Sequence, residues 1–116
     1  MASITRSHGK LITKSQWAQL RKNYETPDAD HRPVLKLFTP TAQCTWLIQD
    51  SDDQGRMFGL CDLGLGYPEL GYVMLDQLEN FTGPLGLGVE RDRFFEADRP
   101  MSVYAAEASA AGRIDA

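Results

Sequence analysis

Two short polar connections constrain this chain most. Thr39-Pro40-Thr41-Ala42-Gln43 and Asp50-Ser51-Asp52-Asp53-Gln54-Gly55 each separate runs rich in β-branched, aromatic and other apolar residues. Both are turns by composition, with Asp and Ser side chains bonding nearby backbone and Gly supplying φ > 0. A parallel neighbour needs a crossover of roughly a dozen residues or more, so strands joined by links this short run antiparallel. The flanking segments Pro33–Phe38, Cys44–Gln49 and Arg56–Leu63 are therefore expected as an antiparallel meander. Leu70–Leu75 resumes the pattern as a fourth strand, and Val89–Phe95 alternates Val89, Arg91, Arg93 and Phe95 with Glu90, Asp92 and Phe94 as a fifth.

Helices bracket this core. Thr13 with Gln16 three residues on forms a capping box, and Ile12 and Trp17 occupy the staple positions around it. The helix runs to Asn23 or Tyr24, ahead of Thr26-Pro27-Asp28, with Trp17, Ala18, Leu20 and Tyr24 as its apolar stripe. A weaker box, Asp76-Gln77-Leu78-Glu79, predicts a short helix over 77–81. Pro100 opens a last helix with Met101, Tyr104, Ala105 and Ala108 on its apolar side, and Gly112 stands where a C-terminal cap glycine belongs. The order is α-β-β-β-β-α-β-α. It specifies an α+β single domain over 10–114, a mostly antiparallel meander sheet of four to five strands with N-terminal, short middle and C-terminal helices. Residues 1–9 are polar and without periodicity, which predicts a flexible N-terminus.

Charge and cysteine content narrow the function. Sixteen acidic residues against twelve basic ones leave a net charge of −4. Nucleic-acid binders draw affinity from a basic excess, so this balance argues against that role. The exceptions are a basic group near the start (Arg6, Lys10, Lys14, Arg21, Lys22) and the run Arg91, Arg93, Phe94, Phe95, Arg99, where Glu90, Asp92, Glu96 and Asp98 cancel the field. Cys44 and Cys61 are separated by sixteen residues and form no zinc-ligand grouping, so they are expected as free thiols on apolar strands in a reducing cytoplasm. No signal peptide opens the sequence, and the longest apolar stretch, around Cys44 to Ile48, is far too short to span a bilayer. No cofactor motif is present. Gly64, Gly66 and Gly71 do not match a phosphate-binding loop, because Pro68 and another strand follow in place of a helix.

The chemistry-bearing candidates gather at Gly64-Leu65-Gly66-Tyr67-Pro68-Glu69. Pro68 cannot donate to a central ladder, so this stretch reads as a bulged corner between the third and fourth strands. Asp62 and Glu69 bracket it. With Asp92 they could hold a hard cation or do general acid–base work, or they could bond loop N–H groups. Tyr67 is a candidate contact residue, since Tyr and Trp are favoured interface anchors, and Trp46 and Pro68 join Asp62, Tyr67 and Glu69 as candidate binding residues. No residue is assigned as catalytic. His31 with Cys44 or Cys61 would need a thiolate on an apolar strand, where it is costly. Asp50, Asp52 and Asp53 lack the later glutamate of a calcium loop and read as a solvated turn.

Pro33-Val34-Leu35-Lys36-Leu37-Phe38-Thr39-Pro40, Thr45-Trp46-Leu47, Phe58 through Val73 with its run Gly59-Leu60-Cys61-Asp62-Leu63-Gly64-Leu65-Gly66, and Gly83-Pro84-Leu85-Gly86-Leu87 together resemble the DUF2958 family. The resemblance extends through Glu90-Arg91-Asp92 and Ala110-Ala111-Gly112-Arg113-Ile114, over residues 10 to 114. It implies a small bacterial protein of unknown function, often carried on plasmids and other mobile elements, with no catalytic residues to transfer. The expected role is a non-enzymatic cytoplasmic accessory protein that binds a host or plasmid-encoded protein through corner 62–72. A metal-dependent hydrolase or nuclease using Asp62, Glu69 and Asp92 is the alternative, and nucleic-acid binding a third. Either a monomer or a homodimer is compatible with open strand edges.

Overall fold

The computed structural model describes residues 9–41 and 43–116. Apart from Gly9, the N-terminal stretch expected to be flexible lies outside the described residues. Helix α1 (Lys14–Tyr24) is followed by strands β1 (Leu35–Phe38), β2 (Thr45–Ser51), β3 (Arg56–Asp62) and β4 (Glu69–Met74). Helix α2 (Leu75–Asn80), a 3-10 turn at Pro84–Gly86, strand β5 (Glu90–Arg91) and helix α3 (Met101–Ala111) complete the chain. The five strands form one antiparallel sheet in the order β4-β3-β2-β1-β5. The fold is α+β, as the spacing of turns and capping signals implied.

Side-chain alternation divides the sheet into two apolar faces. Leu35, Leu37, Trp46, Ile48 and Met57 face one way and bury against Ile12 and Leu20 of the α1 region and Leu75 and Leu78 of α2. Leu47 and Leu60 face the other way, against Met101, Tyr104 and Ala108 of α3. β2 is thus covered on both sides, which is why its residues are almost continuously buried and not alternately exposed. The free thiols Cys44 and Cys61 sit at the margin of the first core, and burial pushes the Cys61 thiol up.

The capping box of α1 forms as expected. The Gln16 N–H donates to Thr13 Oγ1 at 3.1 Å, and the Thr13 N–H donates to Gln16 Oε1 at 3.0 Å. The buried face of α1 differs from the expected stripe, however. Ala18 and Tyr24 are exposed and Asn23 is buried. Asn23 Nδ2 donates to the Gln49 carbonyl at 2.9 Å, while its Oδ1 accepts from Gln19 Nε2 at 2.7 Å. This polar contact exists because β2 carries a bulge at Gln49: the pairing with β3 shifts between Ile48 and Asp50. A buried carbonyl must find a donor, and Asn23 supplies it.

The bulge also corrects the reading of Asp50 and Ser51, which belong to β2 and are buried and not part of the turn. The turn begins at Asp52, whose Oδ1 accepts from the N–H groups of Gln54 and Arg56, both at 2.9 Å. Two further boundaries move. Helix α2 starts at Leu75, because Gln77 Oε1 reaches back to the Met74 N–H, and Asp76 lies inside the helix. The expected strand 89–95 is only two residues long, because Asp92 Oδ1 accepts from the Phe94 N–H at 2.9 Å and turns the chain.

Gly59 is the tightest backbone approach in the sheet. A β-carbon there would stand 2.1 Å from the Leu47 carbonyl oxygen and 3.0 Å from Ile48 Cα, whereas at Gly71 it would meet nothing within 4 Å. Gly59→Ala is expected to destabilise the fold by about 3 kcal/mol or more through overpacking, and Gly71→Ala to change stability by under about 0.5 kcal/mol. Urea denaturation of the two variants checks this pair.

Candidate functional site

The corner between β3 and β4 is built from its buried root outward. Asp62 ends β3 on the α3 face and is only 4% exposed. Its Oδ1 accepts from the Gly64 N–H and its Oδ2 from the Ile114 N–H, each at 2.9 Å. One carboxylate therefore closes the turn after β3 and ties it to the segment that follows α3. Gly64 has φ 76°, and a β-carbon there would stand 3.0 Å from the Gln43 carbonyl, so both the turn and the close approach require glycine. On the other flank Gly112 caps α3 in the left-handed conformation, donates its N–H to the Ala108 carbonyl at 2.8 Å, and lies within 3.2 Å of the Gly66 carbonyl as measured from a built β-carbon. The corner is braced by backbone on two sides.

From this root the apolar side chains project outward. Leu65 is 62% exposed and Tyr67 65%, with Leu63 also exposed. Leu70 and Tyr72 of β4 continue the apolar surface on the α3 face of the sheet. Tyr72 packs edge-on against Phe58 with ring centroids 5.3 Å apart, and the Arg56 guanidinium lies 3.9 Å from the Tyr72 centroid. Beside the corner an open groove of about 710 Å³ runs between the sheet and the segment after α3, lined by Lys36, Thr45, Asp62, Asp92 and Arg113. Lys36 Nζ stands 3.6 Å from Asp92 Oδ2 and also donates to the Ala116 carbonyl.

The six residues singled out from the sequence separate as follows. Asp62 is a backbone clamp. Tyr67 is exposed at the tip of the corner, and Pro68 is half-buried beside it. Glu69 stands opposite Cys61 in the β3–β4 register, on the α1 face, whereas Asp62 points to the other face. Asp92 shares the groove with Asp62 and pairs with Lys36. The structure does not bring Asp62, Glu69 and Asp92 together, and among the described residues no group of three or more His, Cys, Asp or Glu is placed to hold a metal ion. Trp46 is 7% exposed, because its face of β2 is roofed by α1, and it supports the sheet beneath the corner without reaching the surface.

The family model described as a protein of unknown function, DUF2958, matches residues 11–115. The chain belongs to the DUF2958 family. No curated protein and no solved structure shows a significant match to it. No helix among the described residues of this DUF2958 protein is long and apolar enough to cross a membrane.

Asp50 is a buried acid that its sequence setting disguises, because it adjoins the polar residues of the turn. It is 3% exposed and accepts from Gln49 Nε2 at 3.1 Å. Burial raises its carboxyl above the ordinary 3.8, with the Gln49 bond and the His31 charge opposing. The folded protein thus holds this proton more tightly than the unfolded chain does. Stability contributed by that preference is present at acid pH and is lost as the pH rises from 3.8 through the raised value. Asp30 and Asp98 behave oppositely: bonds from Ser102 and from the Tyr104 hydroxyl lower them, so their contribution is lost as the pH falls. Asp50→Asn should raise the melting temperature at neutral pH and raise it less near pH 3.8, as thermal denaturation at the two pH values would show. For the clamp, Asp62→Ala should cost about 1–3 kcal/mol and abolish hydrogen-exchange protection of the Gly64 and Ile114 amides while leaving the Leu47 and Leu60 amides protected.

Proposed function

We propose that this DUF2958 protein is a non-enzymatic interaction module, docking to another protein through the corner at residues 62–72. The observation that carries this reading is the contrast between root and tip. A 4%-exposed carboxylate accepting two backbone N–H bonds holds a loop whose Leu65 and Tyr67 are each more than half exposed. Water-facing apolar side chains on a mobile loop would lose much entropy on binding. On a loop already clamped by Asp62 and braced by the Gln43 and Gly112 backbones, little ordering remains to be done. Clustered exposed apolar residues of this kind mark contact sites more often than scattered ones do.

In this reading Tyr67, Leu65 and Leu63 are the anchors, Pro68 stiffens the exit into β4, and Asp62 is a positioning residue. The chemical alternative draws no support from the geometry. Both Asp62 oxygens are occupied by N–H donors, and Glu69 faces the opposite side of the sheet. The family resemblance suggests the setting, a bacterial cytoplasmic accessory protein of a mobile element whose partner is host- or plasmid-encoded.

Affinity capture from bacterial extract with wild type and a Leu65→Ala/Tyr67→Ala double variant tests the proposal. The expected result is a partner retained by wild type and lost by roughly tenfold or more in the double variant, the scale of removing hot-spot side chains. Equal recovery by both proteins would count against the corner.

A further inference from the structure

The outer edge of β4 carries a hydrogen-bonding pattern that is complementary to itself. The Leu75 N–H donates to the Gly55 carbonyl at 2.8 Å, which makes Gly55–Leu75 a hydrogen-bonded pair at the end of the β3–β4 ladder. Every second pair along the same register, Met57–Val73, Gly59–Gly71 and Cys61–Glu69, is then of the same kind. The N–H and C=O groups of the intervening residues, Leu70, Tyr72 and Met74, point away from β3. Because β4 is the last strand of the sheet, that side has no strand neighbour among the described residues. The Met74 N–H is taken by Gln77 Oε1, and Pro68 has no N–H to offer. The edge therefore presents two complete donor–acceptor sets, at Leu70 and Tyr72.

We propose that this edge pairs with the β4 edge of a second copy, antiparallel about a two-fold axis at Gly71, to give a continuous ten-stranded sheet. In that register Leu70 of each copy opposes Tyr72 of the other, and all four outward donors and acceptors are satisfied. The neighbouring two-fold registers fail on donors. Centring on Leu70 sets Tyr72 opposite the N–H-less proline at 68, and centring on Tyr72 sets Leu70 opposite the already engaged Met74 N–H. Side chains agree with the backbone. Leu70 and Tyr72, 48% and 60% exposed, lie on one face and would cover each other across the axis. On the other face Glu69 opposes Val73, so no like charges meet. Gly71 occupies the closely spaced non-hydrogen-bonded pair on the axis itself, where it has open space on its side-chain face. A self-complementary patch of this type closes as a dimer and does not propagate into a fibre. The inference differs from the partner-binding role of the corner in the residues it uses: the Leu70 and Tyr72 backbone of β4, and not the anchors Leu63, Leu65 and Tyr67 that precede it.

Sedimentation velocity of the full chain from micromolar to millimolar concentration is the first measurement. Wild type should pass from one mass to twice that mass. Leu70→Pro should remain at the monomer mass throughout, since it deletes an outward N–H and no bond to β3, and circular dichroism verifies that its strands persist. Gly71→Cys provides the second, which does not depend on that variant folding. Two copies of residue 71 on the axis lie within disulfide reach, so mild oxidation should yield a covalent dimer that wild type, with its own Cys44 and Cys61, does not give. The Leu65→Ala/Tyr67→Ala variant should dimerise as wild type does, which separates failure of this inference from failure of the docking corner. A monomer at every concentration, no cross-link through residue 71, or dimers undiminished in Leu70→Pro would each overturn the proposal. Monomeric wild type whose β4 amides become protected only on adding a foreign peptide would assign the edge to another protein.

Discussion

The structure depends on a sheet that must be covered on both faces at its centre. Trp46, Ile48 and Met57 lie on one side of β2 and β3, Leu47 and Leu60 on the other, and neither set can be left in water. At roughly 25 cal/mol per Å² of apolar surface, each set needs its own helical roof. The α1 and α2 helices supply one and α3 the other. Because α3 follows all five strands in the element order, the second roof comes from the C-terminal part of the sequence. The C-terminal third of the chain is as much part of the core as the meander.

That arrangement explains why Asp62 matters beyond its own turn. It sits where β3 ends, the corner begins and the segment after α3 passes by. Its two oxygens join all three through N–H groups separated by 50 residues of chain, from Gly64 to Ile114. A carboxylate in this position combines the local bond of a turn with a long-range tether. The bracing glycines add to it, since Gly64 and Gly112 let the Gln43 and Gly66 backbones approach closely. Rigidity at the corner is thus a by-product of closing the second core.

Coverage is incomplete at the β4 edge and the corner before it, where Leu63, Leu65, Tyr67, Leu70 and Tyr72 are exposed. The α3 helix roofs Leu47 and Leu60 but leaves Leu70 and Tyr72 open to solvent, and α2 covers Val73 on the opposite face. Tyr72 is partly sheltered by Phe58 and Arg56. The corner and the open edge adjoin in the chain because both lie where the helical layers stop.

Local signals in the sequence determined much of this. The capping box at Thr13 and Gln16, the turn after Phe38 and the cap glycine at Gly112 act over a few residues, and each formed where its pattern placed it, while the turn before Arg56 formed two residues shorter than its composition implied. The positions of Asn23, Asp50 and Trp46 were not legible in the same way. Asn23 and Asp50 are buried because a bulge at Gln49 shifts one strand by one residue, and Trp46 is buried because α1 covers its face. The grouping of Asp62 with Ile114, and the parting of Asp62 from Glu69 onto opposite faces, likewise belong to tertiary structure. Turn and cap chemistry is encoded in adjacent residues, but which face a side chain takes, and what lies across from it, depends on register and on the helices that later cover the sheet.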